Sequence, residues 1–147
     1  MPLFGYLKGV GLYKIDRIQL NNFKSIREMD LELKDINILI GANGVGKSNL
    51  ISYFTLLNRI IQKQLRDYVG KKGGVETFLY FGQKKSPMLF SSIVFQEGHK
   101  HYNEYDFNLA PNSVDDNFVF ANESAKYYLR NGKPRPNLDL EIGRAHV

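Results

Sequence analysis

The sequence predicts an α/β fold in one domain, and three observations carry that prediction. Apolar runs with strand-like alternation fill residues 15–40, a glycine-rich loop follows at 41–48, and an apolar pattern with helical spacing opens directly behind the loop. At 147 residues, 43% apolar and 13% aromatic, the chain has enough material for one hydrophobic core.

Residues 1–13 carry Gly5, Gly9 and Gly11 without a clear period and read as a loose lead-in, so order is expected from about Lys14. Ile18, Leu20 and Phe23 suggest a first strand and Leu31 and Leu33 a second, while Ile36, Ile38, Leu39 and Ile40 read as a buried third. After the loop, Leu50, Phe54, Leu57, Ile61 and Leu65 recur at three- and four-residue intervals, which predicts one helix ending near Gly70. Lys71-Lys72-Gly73-Gly74 is a basic break. Residues 75–82 fit a helical turn or a strand equally well. Residues 88–96, the turn Glu97-Gly98-His99-Lys100, and Tyr102, Tyr105, Phe107 and Leu109 together predict a hairpin. Phe118-Val119-Phe120 reads as another strand, residues 123–130 as a short helix or a strand, and Asn131-Gly132 as a turn.

Composition removes several classes of function. With no cysteine there is no disulfide framework, thiolate metal site or cysteine nucleophile. No apolar run approaches the roughly 20 residues of a membrane helix, and no secretion signal is legible, so a cytoplasmic location is expected. Twenty Lys and Arg against fifteen Asp and Glu give a net charge of +5, a mild excess that reads first as solvated surface.

The informative stretch is Gly41-Ala42-Asn43-Gly44-Val45-Gly46-Lys47-Ser48, which fits G-x-x-x-x-G-K-[ST] at every fixed position. Its glycines let successive amides turn into one concavity, and a helix opening at Lys47 adds the positive end of its dipole. Polyphosphate is the matching anion. Lys47 is expected at the β- and γ-phosphates, and the Ser48 hydroxyl on the magnesium ion that bridges them. The loop residues with Asn49 are therefore the expected ATP-binding set.

Together, Ile15-Asp16-Arg17-Ile18-Gln19-Leu20-Asn21-Asn22-Phe23-Lys24-Ser25-Ile26 and Ile38-Leu39-Ile40 followed by the loop and Asn49-Leu50 resemble the start of RecF/SMC-like ATPases. In those proteins an "N-F-K-S" strand end precedes a "G-x-N-G-x-G-K-S-N" loop. The resemblance covers about residues 14–130 and implies the N-terminal lobe of an ATP-binding-cassette head, a P-loop NTPase of the AAA-type branch, incomplete at its C-terminal side. It implies ATP and Mg²⁺ as cofactors, a head-to-head homodimer around two nucleotides, and work on DNA in maintenance, repair or phage defence. Residues 73–82 and the aromatic hairpin after them resemble an insert of the same branch. Lys24 and Ser25 correspond to a position near the nucleotide, and Gln96, ahead of Gln83, to a glutamine that contacts magnesium.

Several parts of that family pattern have no match. No apolar strand leads into an Asp-Glu pair after Ser48, and no Ser-Gly-Gly signature occurs. No catalytic residue is assigned, and the chain alone is expected not to hydrolyse ATP. Ile142-Gly143-Arg144-Ala145-His146-Val147 resembles the translation of a sequencing-library adapter, ATC GGA AGA GCA CAC GTC, so residues 142–147 are expected to be non-native and residues 14–141 to be part of a longer ATPase domain. His99 and His101 lack a third ligand and are read as solvated, with no metal assigned. Asn122-Glu123-Ser124 forms a sequon that a cytoplasmic protein does not present for glycosylation. Two other functions compete with an ATPase lobe. One is a non-enzymatic nucleotide-sensing module that controls a partner or an attached nuclease. The other is a transporter cassette, against which the Phe23-Lys24-Ser25 run argues.

Overall fold

The computed structural model describes residues 13–42, 46–98 and 101–129. Strands β1 (Tyr13–Phe23), β2 (Ile26–Glu32), β3 (Leu89–Glu97), β4 (His101–Asn112) and β5 (Asn117–Leu129) form one antiparallel sheet in the order β2-β1-β3-β4-β5. The expected hairpin is β3–β4. Residues 123–129, open to helix or strand on sequence, continue β5.

Helices α1 (Lys47–Ile61) and α2 (Leu65–Lys71) cover one face of the sheet. Ile18 and Leu20 from β1, Leu89 and Ile93 from β3, and Tyr105, Phe107 and Leu109 from β4 meet Leu50, Tyr53, Leu56 and Ile60 of α1 in one core. The single helix expected from periodicity is two. Lys63 adopts φ 59° and the Gln64 amide reaches back to the Arg59 carbonyl at 2.8 Å, which ends α1 before Leu65 restarts the chain as α2. The buried stripe also differs from the expected one, because Phe54 and Ile61 are exposed. Residues 50–61 are apolar around most of the helix, so periodicity admitted two stripes and packing chose between them.

The third strand does not form. Ile36, Ile38 and Ile40 are 81%, 77% and 89% exposed, and residues 37–42 carry no strand pairing. β2 pairing reaches only to the Leu33 amide on the Asp16 carbonyl at 2.8 Å, after which Asn37 closes a local turn with both backbone groups of Lys34. An apolar run becomes a buried strand only when neighbours pair it and cover its faces. Among the described residues no strand lies alongside.

Residues 75–77 settle as a 3₁₀ turn, and Leu79 then makes one bridge to Phe23. The turn depends on Gly74, whose φ is 86° and whose missing Cβ leaves room for Asp116, since a Cβ there would collide with the Asp116 carboxylate. No helix among the described residues is long and apolar enough to cross a membrane. Of the lead-in expected at residues 1–13, Tyr13 instead opens β1, while residues 1–12, the Asn131-Gly132 turn and the tail at 142–147 lie outside the described residues.

Candidate phosphate-binding loop

Gly46 is the N-cap of α1 and holds φ 103°, ψ −3°, a conformation that glycine adopts without strain. Its carbonyl accepts the Leu50 amide at 2.9 Å, the first intrahelical bond, so the amides of Lys47, Ser48 and Asn49 have no intrahelical acceptor. No side chain caps this end, and no acid sits in the first turn. The result is a set of donors at the positive end of a dipole, undiluted by carboxylate.

Lys47 extends this donor set, its ammonium turning back to donate to the Gly41 carbonyl. Ser48 is exposed on the first turn, and its carbonyl accepts the Ser52 hydroxyl at 3.0 Å. Asn49 does something different from its neighbours, since its side-chain amide donates to the Ser25 hydroxyl at 2.5 Å. The β1–β2 turn is thereby fastened to the helix that carries the loop. Ile26 completes the junction, standing 3.7 Å from where a Cβ on Gly46 would lie. A cation, helix amides and a hydroxyl, with no acid among them, suit a polyphosphate with its magnesium ion.

The structure thus brings Gly46, Lys47, Ser48 and Asn49 together at one helix end, with Gly41 drawn in by Lys47 and Ala42 next to it in the chain. Asn43, Gly44 and Val45 lie outside the described residues. Of the strand-end pair, Ser25 touches α1 while Lys24 turns away, its ammonium over the rings of Phe23 and Phe78 at 5.9 and 5.5 Å. Burial, and then the charge of Lys72, hold the Lys24 pKa below its ordinary value.

Gln96 is not brought to Ser48. It pairs with Lys14 and Tyr102, whereas Phe90 of the same strand pairs with Asn21 beside the β1–β2 turn, so six residues of β3 at roughly 3.3 Å each separate Gln96 from the loop end of the sheet. Gln83 is exposed, with its backbone amide donating to the Glu76 carboxylate at 3.1 Å. His101 stacks on Tyr127 at 5.3 Å, His99 lies outside the described residues, and no cluster of metal-ligating side chains occurs among those described. Sequence reasoning missed the Asn49–Ser25 bond, although the "N-F-K-S" and "G-K-S-N" runs each contain one partner.

The model of the AAA ATPase domain matches residues 14–140 of the chain. The DNA replication and repair protein RecF of Actinobacillus pleuropneumoniae is similar in both serotype 5b (strain L20) and serotype 3 (strain JL03), each 34% identical over 67 residues, covering 37% of this chain and 19% of the relative. The chain thus aligns with about a fifth of the length of the curated relatives it matches.

Proposed function

Since this chain belongs to the AAA ATPase domain family, we propose that it is the ATP-binding lobe of a RecF/SMC-like ATPase, with Gly41, Ala42, Asn43, Gly44, Val45, Gly46, Lys47, Ser48 and Asn49 as its phosphate loop. The observation that carries the reading is the uncapped, acid-free start of α1 at Gly46-Lys47-Ser48. Lys47 would hold the β- and γ-phosphates, and Ser48 would give one oxygen to Mg²⁺, whose other ligands are phosphate oxygens and water. Bound there, the ion would neutralise charge on the phosphates. In the complete protein two such lobes would meet head-to-head around two nucleotides and couple hydrolysis to work on DNA. The likeness to a DNA replication and repair protein supports the DNA part, and repair or phage defence is the proposed setting.

The test is calorimetric titration of MgATP. Lys47→Ala is expected to weaken binding by roughly 2 to 4 kcal/mol, the scale of a strong charged contact. Ser48→Ala is expected to weaken it in magnesium and to change it little in EDTA. An unchanged dissociation constant in Lys47→Ala would overturn the assignment.

A further inference from the structure

Phe81 is 78% exposed and holds φ 53°, a left-handed conformation that a bulky aromatic residue rarely adopts. Strain of this kind persists where surrounding structure enforces it, and it gathers at binding and switch sites. Here the enforcement is visible. The Gly82 carbonyl accepts the amides of Lys85 at 3.2 Å and Ser86 at 2.9 Å, and the Ser86 hydroxyl closes the segment on the Tyr80 carbonyl at 2.6 Å. Tyr80 backs the Phe81 ring edge-on, with centroids 4.6 Å apart. The ring is held into solvent by a fixed frame.

Within residues 80–86 the charged side chains are both basic. Lys84 and Lys85 are exposed three and four residues along the chain from the ring, and no acid pairs with either among the described residues. The Glu76 carboxylate packs against the frame, where it accepts the Gln83 backbone amide at 3.1 Å and occupies the space a Cβ on Gly82 would need. The frame is tied to Lys24, whose amide donates to the Phe78 carbonyl at 2.9 Å, and Lys24 lies close enough to Lys72 to feel its charge.

We propose that this frame is a docking surface for single-stranded nucleic acid, one base stacking on Phe81 and backbone phosphates lying on Lys84 and Lys85. An exposed ring and unpaired lysines are the two elements that single-strand binders combine, the ring accepting any base by its π-face and the lysines following the backbone. An acidic peptide would use the lysines and leave the ring idle. The proposal deepens the DNA-directed part of the proposed function and rests on it for the choice of DNA as the probe.

The experiment is fluorescence anisotropy of a labelled oligothymidylate with the whole chain, and MgATP titration of the same samples. Phe81→Ala is expected to weaken DNA binding at least about fivefold and Phe81→Tyr to preserve it. Replacing Lys84 and Lys85 by Gln should flatten the slope of log K against log salt by about 0.7 for each phosphate that is no longer neutralised. Phe81→Asn, which suits the left-handed backbone, should keep the melting temperature and lose the binding. DNA binding unaffected by Phe81→Ala, or a Phe81→Asn protein that no longer folds, would overturn the proposal. So would displacement by polyglutamate as efficient as by unlabelled oligothymidylate. MgATP affinity should be the same in all these variants, so a chain that binds DNA through Phe81 but no nucleotide would defeat the phosphate-loop reading alone.

Discussion

Gly46→Ala separates two explanations for the glycine that caps α1. A Cβ at this position would meet only Ile26 Cγ1 at 3.7 Å, an ordinary contact, so side-chain space does not require glycine. The backbone does, because φ is 103°. If alanine keeps that angle, the strain costs about 1–2 kcal/mol. If it relaxes to negative φ, the carbonyl swings away from the Leu50 amide it now holds at 2.9 Å, and roughly 1 kcal/mol of helix-starting hydrogen bond goes with it. Either route predicts a loss of about 1–2 kcal/mol. In urea, with a slope of about 1–3 kcal/mol per molar, the midpoint should fall by roughly 0.3–2 M. ATP affinity should fall at least about tenfold as well, since the first-turn amides no longer converge. The decisive arm is Gly46→Ala with Ile26→Ala, in which room is made and the backbone demand left in place. No recovery is expected. A double variant restored to the stability of Ile26→Ala alone would show instead that crowding, not dihedral angle, selects glycine.

Tyr53 and Ser91 are both buried and share a hydrogen bond, and burial pushes the Tyr53 phenol above its ordinary pKa. Tyr53→Phe should therefore lose about 1–3 kcal/mol in urea unfolding, and Tyr53→Phe with Ser91→Ala should regain most of it, because no lone hydroxyl is left behind. Asp30 takes hydrogen bonds from Arg17 Nε at 2.6 Å and Gln19 at 3.0 Å, which hold its pKa at about 2. A depressed carboxyl stabilises above its unfolded value and loses that contribution as pH falls through the folded one, so NMR should show Asp30 titrating near 2 and Arg17→Gln moving the midpoint toward 3.8. Finally, phosphate release from MgATP by this chain should not be sustained, since water positioning and charge stabilisation require groups beyond the loop. Release that vanishes in Lys47→Ala would reveal a catalytic carboxylate within these residues.

What was legible in the sequence were the features set by local chemistry. The glycine-rich motif ending at Lys47-Ser48 prefigured the α1 start at Lys47, and alternation with a turn prefigured β3 and β4, because glycine dihedrals and strand period act within a few residues. What depended on distant partners was not legible. Ile36 to Ile40 have the composition of a buried strand, yet burial is a property of neighbours, and β2 ends its pairing before the run begins. Leu56 and Leu57 are adjacent and equally apolar, and only the sheet beneath decides that Leu56 is fully buried while Leu57 is partly so. The bend at Lys63 also escaped, since a left-handed lysine carries no sequence mark. For the candidate site, residue types proposed Lys47 and Ser48, which the structure places on the first turn of α1, while the separation of Gln96 from them needed the register of β3.

The two ends of the candidate phosphate loop are secured unequally. Its exit is fixed by Asn49 to Ser25 and by helix α1, whereas residues 36–42 enter it without a bond to any described strand. Ordering a residue's backbone costs roughly 1–2 kcal/mol, and a ligand that must order the entry side meets that cost out of its own contacts. Anything that pairs with the Ile36, Ile38 and Ile40 edge would meet it instead. Thermodynamic reciprocity then links the two events. Under the proposed function, a partner strand on the entry run would raise affinity for polyphosphate, and bound polyphosphate would raise affinity for the partner by the same factor. Nucleotide affinity would in this way report whether the entry side is covered, with no contact between the covering strand and the phosphates.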